Sequence, residues 1–314
     1  MRPFQITQGV PMFSRLFKLS ALAVLTLTSA AAKADPILYV STYSDNKIYK
    51  VLPDGSKTVF GPTLAGGGEM AFDTQGNLYE SNYDAGTIFK IAPSGISTTF
   101  ASGLHNPYGL AFDTGGNLYV SSANAGTTIT KITPDGAKST FATGLAQPQE
   151  ITFDKFGNLF TENPFVGTVS KIDPLGNVST FLSGLPLPHS MAIDSAGFIY
   201  VAEITGVQNA AGSVSILKYD QSGTFVSTFA SGLNNTYTLL FGNDGNMYVA
   251  TYPFSGPVNG GSILQITPSG TVSTYLSNIT DPTGLAIQVP EPASLCLFAG
   301  SAGLLLLRRR IRKM

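Results

Sequence analysis

A phrase of eleven residues, Leu110-Ala111-Phe112-Asp113-Thr114-Gly115-Gly116-Asn117-Leu118-Tyr119-Val120, recurs with small changes through the middle of this 314-residue chain. Its Leu-Tyr-type pair begins at 38, 78, 118, 159, 199 and 247, in steps of 40, 40, 41, 40 and 48 residues. Self-similarity at that period means one small unit stacked on copies of itself. Each pair is preceded by an apolar-alternating run, such as Met70–Asp73 or Met191–Asp194, and followed by two more runs, such as 87–91 and 97–100. Turn chemistry separates the runs: Thr-Gln-Gly-Asn at 74–77, Ala-Pro-Ser-Gly at 92–95, Thr-Pro-Asp-Gly at 133–136 and Asp-Pro-Leu-Gly at 173–176. No stretch of the middle carries a helical period of useful length. Four short strands per 40 or so residues make a propeller blade, so the expected fold class is all-β, a six-bladed β-propeller.

The phase at the ends predicts how the ring closes. Leu38-Tyr39-Val40 has no inner strand before it, and Thr283-Gly284-Leu285-Ala286-Ile287 is an inner strand with nothing after it. Joined, the two complete a sixth blade and remove the free edges that would otherwise invite aggregation.

Charge excludes one class of partner. The chain is 12% charged with a formal net charge of −1, but the charges are segregated. Between Asp35 and Gln288 stand nine Lys, no Arg and eighteen Asp plus Glu, a net of −9. Such a domain has no phosphate-neutralising surface, so no nucleic acid partner is expected. The single cysteine, Cys296, lies outside this stretch, so the domain must hold together without a disulfide.

The missing positive charge sits at the two ends. Residues 1–34 are expected to form a signal peptide: Arg15 and Lys18 precede an apolar stretch, Leu19 to Ala32, and Ala32-Lys33-Ala34 is a small-x-small site for signal peptidase. A start at Met12 would leave that signal complete. The propeller is then expected over 35–288, and a separate tail over 289–314. In the tail Pro290-Glu291-Pro292 leads into an apolar stretch, Ala293 to Leu307, followed by Arg308, Arg309, Arg310, Arg312 and Lys313. Fifteen residues make about 22 Å of helix, short of a ~30 Å hydrocarbon core, with the basic cluster held on the cytoplasmic side. This order of motif, short apolar transmembrane helix and Arg cluster resembles the PEP-CTERM sorting signal of Gram-negative bacteria. The resemblance implies processing by an exosortase-type membrane protease and delivery to the cell surface or the extracellular space.

Aligning the repeats places six residues in a ring around the channel mouth, two positions before each inner-strand apolar residue: Gly68, Tyr108, Gln149, His189, Tyr237 and Thr283. The second-strand exits add Thr42, Asn82, Ser122, Asn163, Glu203 and Thr251. Longer loops, Ile204–Gly212 and Tyr252–Gly261, follow two of these exits. Asp73, Asp113, Asp154 and Asp194 stand before Gly turns and are expected to cap hairpins rather than bind calcium. His105 has no partner visible in sequence. No nucleophile elbow, phosphate loop, cysteine pair or His-x-x-x-His occurs, which removes serine-hydrolase, nucleotide and structural-zinc readings.

The Gly-Asn-Leu-Tyr/Phe and Lys-Ile-x-Pro-x-Gly phrases, the latter at 90–95, 131–136 and 171–176, resemble NHL and SMP-30-like propellers, and more closely the streptogramin-lyase type. That resemblance implies a catalytic His and Glu fourteen residues apart, which Pro188-His189 and Glu203 reproduce in spacing and register. His189 would then be a general base and Glu203 a ligand for Mg²⁺ or Ca²⁺, with Gln149, Tyr108, Tyr237 and Asn163 binding substrate. The chain departs from the pattern at three points. The family's extra metal-binding carboxylate falls on Leu187, its second His falls on Gln149, and its rings have seven blades. The cation site of SMP-30-type lactonases likewise needs Glu, Asn and Asp in the first ring, which has none of them here. The expected function is therefore binding or scaffolding at the envelope or extracellular matrix, with a surface glycan or protein as partner. The alternative is a metal-assisted lyase or lactonase-like enzyme using His189 and Glu203.

Overall fold

A computed structural model of the chain describes residues 35–64, 66–124, 126–204, 213–252 and 260–288. The expected signal peptide, sorting tail and most of the two longer loops lie outside the described residues. Those residues form six four-stranded antiparallel sheets. Blades 2 to 6 each take four consecutive strands, with inner strands Gly67–Phe72, Pro107–Phe112, Ile151–Phe153, Pro188–Ile193 and Asn235–Phe241. Blade 1 is built from both ends of the domain: Pro282–Ile287 pairs antiparallel with Leu38–Thr42, setting Leu38 opposite Ile287 and Val40 opposite Leu285. The expected closure is therefore the observed one. Among the described residues helix is confined to one turn, Pro164–Val166, and no helix is long and apolar enough to cross a membrane.

Burial peaks at the second strand of each blade and falls off toward the outer edge, and the sequence follows it. Second strands such as Leu78–Asn82 and Leu159–Asn163 are buried at all five positions, being covered by a blade on either side. The third strand Lys47–Val51 is buried only at Ile48 and Val51, and the outer strand Lys57–Val59 is exposed throughout. Each junction between blades has its own apolar core. Between blades 1 and 2, for instance, Tyr39, Ile48 and Ala286 meet Met70, Leu78 and Ile91. The repeated tyrosine is the hinge pin of these junctions. Tyr39 meets Phe60 of its own blade and Phe72 of the next edge-on, both at 4.9 Å between centroids, and Tyr79 does the same with Phe100 and Phe112. Edge-to-face pairs at this spacing add about 0.5–1.5 kcal/mol each beyond area burial.

The Asp-x-x-Gly-Asn phrases are turns capped by their own aspartate. Asp73 Oδ1 accepts the amides of Gln75 and Asn77 at 2.9 and 2.8 Å, while Oδ2 accepts from the Asn77 amide nitrogen at 2.7 Å. Asp113 and Asp154 repeat the arrangement.

The inner strands carry the feature that positions the mouth. Where the inner strand pairs with the second strand, the register slips by one residue in five of the six blades. In blade 5 Pro188 lies opposite Glu203 and Ser190 opposite Ala202, which leaves His189 as the extra residue. In blade 6 the extra residue is Tyr237, and in blade 1 it is Thr283. A bulge bends the strand and re-aims the unpaired residue. Five of the six ring positions read from the repeat alignment fall at these bulges, and the sixth, Gln149, precedes the unbulged inner strand Ile151–Phe153 of blade 4.

Candidate functional site at the channel mouth

The bulges are stitched together by a girdle of hydroxyls and carboxylates. In blades 1 to 3 a second-strand serine donates a hydrogen bond to the ring-residue carbonyl of the next blade. Ser41 donates to Gly68 at 2.7 Å, Ser81 to Tyr108 at 2.8 Å and Ser121 to Gln149 at 2.5 Å. Ser41 and Ser121 also accept a bulge amide of their own blade, Gly284 at 2.9 Å and Gly109 at 2.8 Å. A Cβ on Gly109 or Gly284 would overlap the carbonyl oxygen of Gln149 or Gly68, so the close approach of blades demands glycine there.

Blades 4 to 6 solve the same problem differently. Glu162 stands in the serine position of blade 4 and accepts the Glu150 amide at 2.8 Å. Glu150 in turn accepts the Ser190 hydroxyl and the Met191 amide, the latter at 3.0 Å. Ser190 then accepts the Leu239 amide at 2.9 Å, and Thr238 closes the circle by donating toward Thr283 O at 2.6 Å and Glu69 Oε1 at 2.5 Å. Glu69, Glu150 and Glu162 are all buried, and desolvation first, with repulsion from Glu162 on Glu69 and from Glu69 and Glu162 on Glu150, holds their carboxyls well above the usual range. These acids serve the ring.

Above this layer the mouth is asymmetric for a reason visible in the ring residues. Blades 1 and 2 carry the small ones, Thr283 and Gly68, while Tyr108 and Tyr237 stand on either side. The gap is a cavity of about 300 Å³ walled by Tyr43, Tyr83, Tyr108 and Tyr237, with Glu69 at its floor and Asp84 and Asp281 at its rim. Burial, and then the carboxylates of Glu69, Glu150 and Glu162, push the Tyr108 phenol up; burial, and then Asp281, do so for Tyr237. The phenols are therefore neutral across the physiological range. On the far side of the layer a second cavity of about 310 Å³ shares Glu69 as a lining residue, so the Glu69–Thr238 contact divides the channel in two.

Of the residues singled out from sequence, Tyr108 and Tyr237 line the upper cavity. His189 turns toward blade 6, its ring edge-on to Tyr237 at 6.3 Å between centroids, and burial pushes its pKa down. Gln149 is bound through its backbone, its carbonyl to Ser121 and its amide to Glu162 O at 3.2 Å. Asn163 caps its own hairpin, donating to Ser170 Oγ at 2.9 Å and Thr168 Oγ1 at 3.2 Å. Glu203 is 1% exposed and faces the blade 4 side, where Tyr219 donates to its Oε1 at 3.5 Å. Its Oε2 has no partner among the described residues, and desolvation pushes its pKa up to about 7. Among the described residues no group of three or more His, Cys, Asp and Glu side chains is placed to hold a metal ion. The sequence reading missed Tyr43 and Tyr83. Both directly follow a second-strand exit, as Tyr252 does, so the repeat alignment contained the signal one position beyond the column considered.

Comparison with known proteins gives two independent findings. A model of the PEP-CTERM protein-sorting motif matches residues 288–310. Such a motif marks an exported, surface-sorted protein and implies processing by exosortase. Among solved structures, a streptogramin B lyase is similar with a TM-score of 0.60 at 17% identity, covering 82% of this chain and 88% of that one. A chain of a nidogen/laminin complex gives 0.68 at 17% identity, covering 82% and 99%. A gluconolactonase from Xanthomonas campestris gives 0.61 at 14% identity, covering 81% and 88%. At these identities the likeness is one of fold. No curated protein sequence matches the chain.

Proposed function

We propose that this is a surface-delivered propeller that binds a partner molecule at its channel mouth without transforming it, in the cell envelope or extracellular matrix. Residues 1–34 would be removed by signal peptidase, 35–288 would be the working ring, and 289–314 would be the segment that exosortase acts on. The observation that carries the binding reading is the tyrosine-walled cavity above Gly68 and Thr283, beside acids already committed to holding blades together. Tyrosines offer large, rigid, amphipathic contact area at low entropic cost, which suits a glycan or a protein surface. The test is retention of residues 35–288 on envelope polysaccharide and on intact cells of the native host. Tyr108→Ala and Tyr237→Ala should each weaken retention at least tenfold. Unchanged retention in both variants sinks the reading.

A second reading, lyase- or lactonase-like chemistry, draws support from Glu203, whose buried Oε2 has no partner among the described residues, and from His189 held neutral by burial, the two side chains standing on opposite sides of blade 5. A protonated carboxyl and a free imidazole are a usable acid and base near pH 7. The described residues offer Glu203 alone toward Mg²⁺ or Ca²⁺, which does not make a metal site, so no step is routed through an ion. Turnover of cyclic esters and lactones that disappears in His189→Ala and Glu203→Ala, together with calorimetric titration of both cations, would decide for it.

A further inference from the structure

The cavity above Gly68 and Thr283 has a chemistry narrower than a general binding surface. Four tyrosines from four blades surround it: Tyr43 of blade 1, Tyr83 of blade 2, Tyr108 of blade 3 and Tyr237 of blade 6. Tyr43 is 51% exposed at the lip, and the other three are half-buried. The wall is held in place, since the Tyr43 amide donates to Asp281 O at 3.1 Å and Ser44 donates to Asp281 Oδ2 at 2.8 Å. That leaves Asp281 Oδ1 available at the rim, with Asp84 on the neighbouring blade. No lysine or arginine lines the cavity. The lysines closest in sequence are engaged elsewhere, Lys47 with Asp45 at 3.1 Å and Lys90 with Asp73 at 3.7 Å.

Electron-rich ring faces and carboxylates with no compensating cation create a negative potential in a confined space. Neutral hydroxyls of a sugar would leave that potential standing, and an anion would be repelled. An organic cation satisfies both parts at once, its charge drawn to the ring faces and its counter-charge supplied at the rim. We propose that this cavity is a binding site for an organic ammonium group, caged by Tyr43, Tyr83, Tyr108 and Tyr237 and countered by Asp84 and Asp281. A volume of about 300 Å³ suits a headgroup or one sugar ring, at the small end of ligand sites. The group could arrive on a small quaternary amine or on an amino sugar within a polysaccharide. The proposal rests on the reading of the mouth as a binding surface and assigns its ligand class.

The experiment is calorimetric titration of residues 35–288, which contain the whole closed ring, with three probes at pH 6 and low salt. The probes are choline, a β-1,4-linked glucosamine tetramer and the same tetramer fully N-acetylated. The cation site predicts saturable binding of choline or of the glucosamine tetramer, at least tenfold weaker binding of the acetylated tetramer, and weakening by added salt. Asp84→Asn/Asp281→Asn, both positions at the open rim, should lose at least tenfold with an unchanged melting temperature. Tyr108→Leu should lose choline binding while keeping the fold. Choline alone binding would point to a small-molecule amine, and a much tighter glucosamine tetramer to a polysaccharide. Acetylated tetramer binding as well as the free amine would overturn the cation assignment and leave the binding reading intact. Binding by none of the probes would overturn the assignment too, and the polysaccharide retention test would then judge the broader reading separately.

Discussion

Thr238 Oγ1 lies 2.5 Å from Glu69 Oε1, a contact that reaches from blade 6 to blade 2 past the closing blade between them. The same hydroxyl lies 2.6 Å from Thr283 O on that closing blade. One side chain therefore ties three blades at the point where the two ends of the domain meet. Thr238→Val keeps the shape and removes the hydroxyl that lies between the buried Glu69 carboxyl and the Thr283 carbonyl. We expect a loss of about 1–3 kcal/mol by chemical denaturation, with Thr238→Ser close to wild type.

The buried glutamates set the direction of the pH dependence. Desolvation raises Glu80 and Glu162 to about 8 and Glu203 to about 7, and it raises Glu69 and Glu150 in the same sense. An unfolded glutamate releases its proton near 4.5, so between there and about 8 the folded state holds more protons than the unfolded one. Stability is then fully present below about 4.5 as far as these groups are concerned, and it declines as pH rises through 8. The turn aspartates Asp113 and Asp173 are lowered and act oppositely, losing stability as pH falls through their folded-state values. The melting temperature should therefore be higher at pH 5 than at pH 9, and a profile flat or rising across that range would refute the argument.

Glu80 isolates one contribution. It occupies the column held by Val40, Val120, Val201 and Val249 in other blades, and its Oε2 has no partner among the described residues. Glu80→Gln should flatten the decline in melting temperature between pH 5 and pH 9. A slope identical to wild type would mean that Glu80 ionises as freely folded as unfolded.

Closure makes its own prediction. Truncation after Thr280 removes the strand Pro282–Ile287 and exposes the edge of Leu38–Thr42 along with Leu38 and Val40. The shortened chain should melt well below the 35–288 ring and self-associate through the open edge, visible in light scattering. Equal melting temperatures would show that the closing strand is dispensable.

Gly284→Ala tests the close packing of bulges. Its new methyl would overlap Gly68 O and sit 2.7 Å from Ser41 Oγ, both belonging to the girdle. The expected loss is about 1–3 kcal/mol, the usual cost of overpacking a tight site. Gly144→Ala at an exposed turn with φ of 81° has open space around it and should cost only its backbone strain.

The six Leu-Tyr pairs made the blades legible, and the unmatched runs at 38 and 283 made the closure legible, because strand period and turn chemistry are local. The ring of Gly68, Tyr108, Gln149, His189, Tyr237 and Thr283 was also readable as an alignment column. What the alignment could not express is that all of these but Gln149 sit at bulges, since a bulge is defined by the strand opposite. Ser41, Ser81 and Ser121 looked like ordinary small residues of a buried strand. Their role depends on a carbonyl in the next blade, some 27 residues away. Glu69 and Glu150 directly follow the ring residues Gly68 and Gln149 in sequence, but only the contacts reveal that they hold the ring together.

The girdle also limits how such a ring can grow. In blades 1 to 3 every handover has the same sender and receiver, a second-strand serine and a ring-residue carbonyl. A duplicated copy of blade 3, which carries Gly109 where blade 2 has Glu69, would meet its neighbours with matching chemistry on both sides. From blade 4 onward each handover is unique, with Glu162, Glu150, Ser190 and Thr238 fitting only the partner they already have. A copy of blade 4 or blade 5 inserted beside its parent would strand a carboxylate against the wrong group. An engineered seventh blade is thus expected to be tolerated beside blade 3 and rejected beside blade 4 or blade 5.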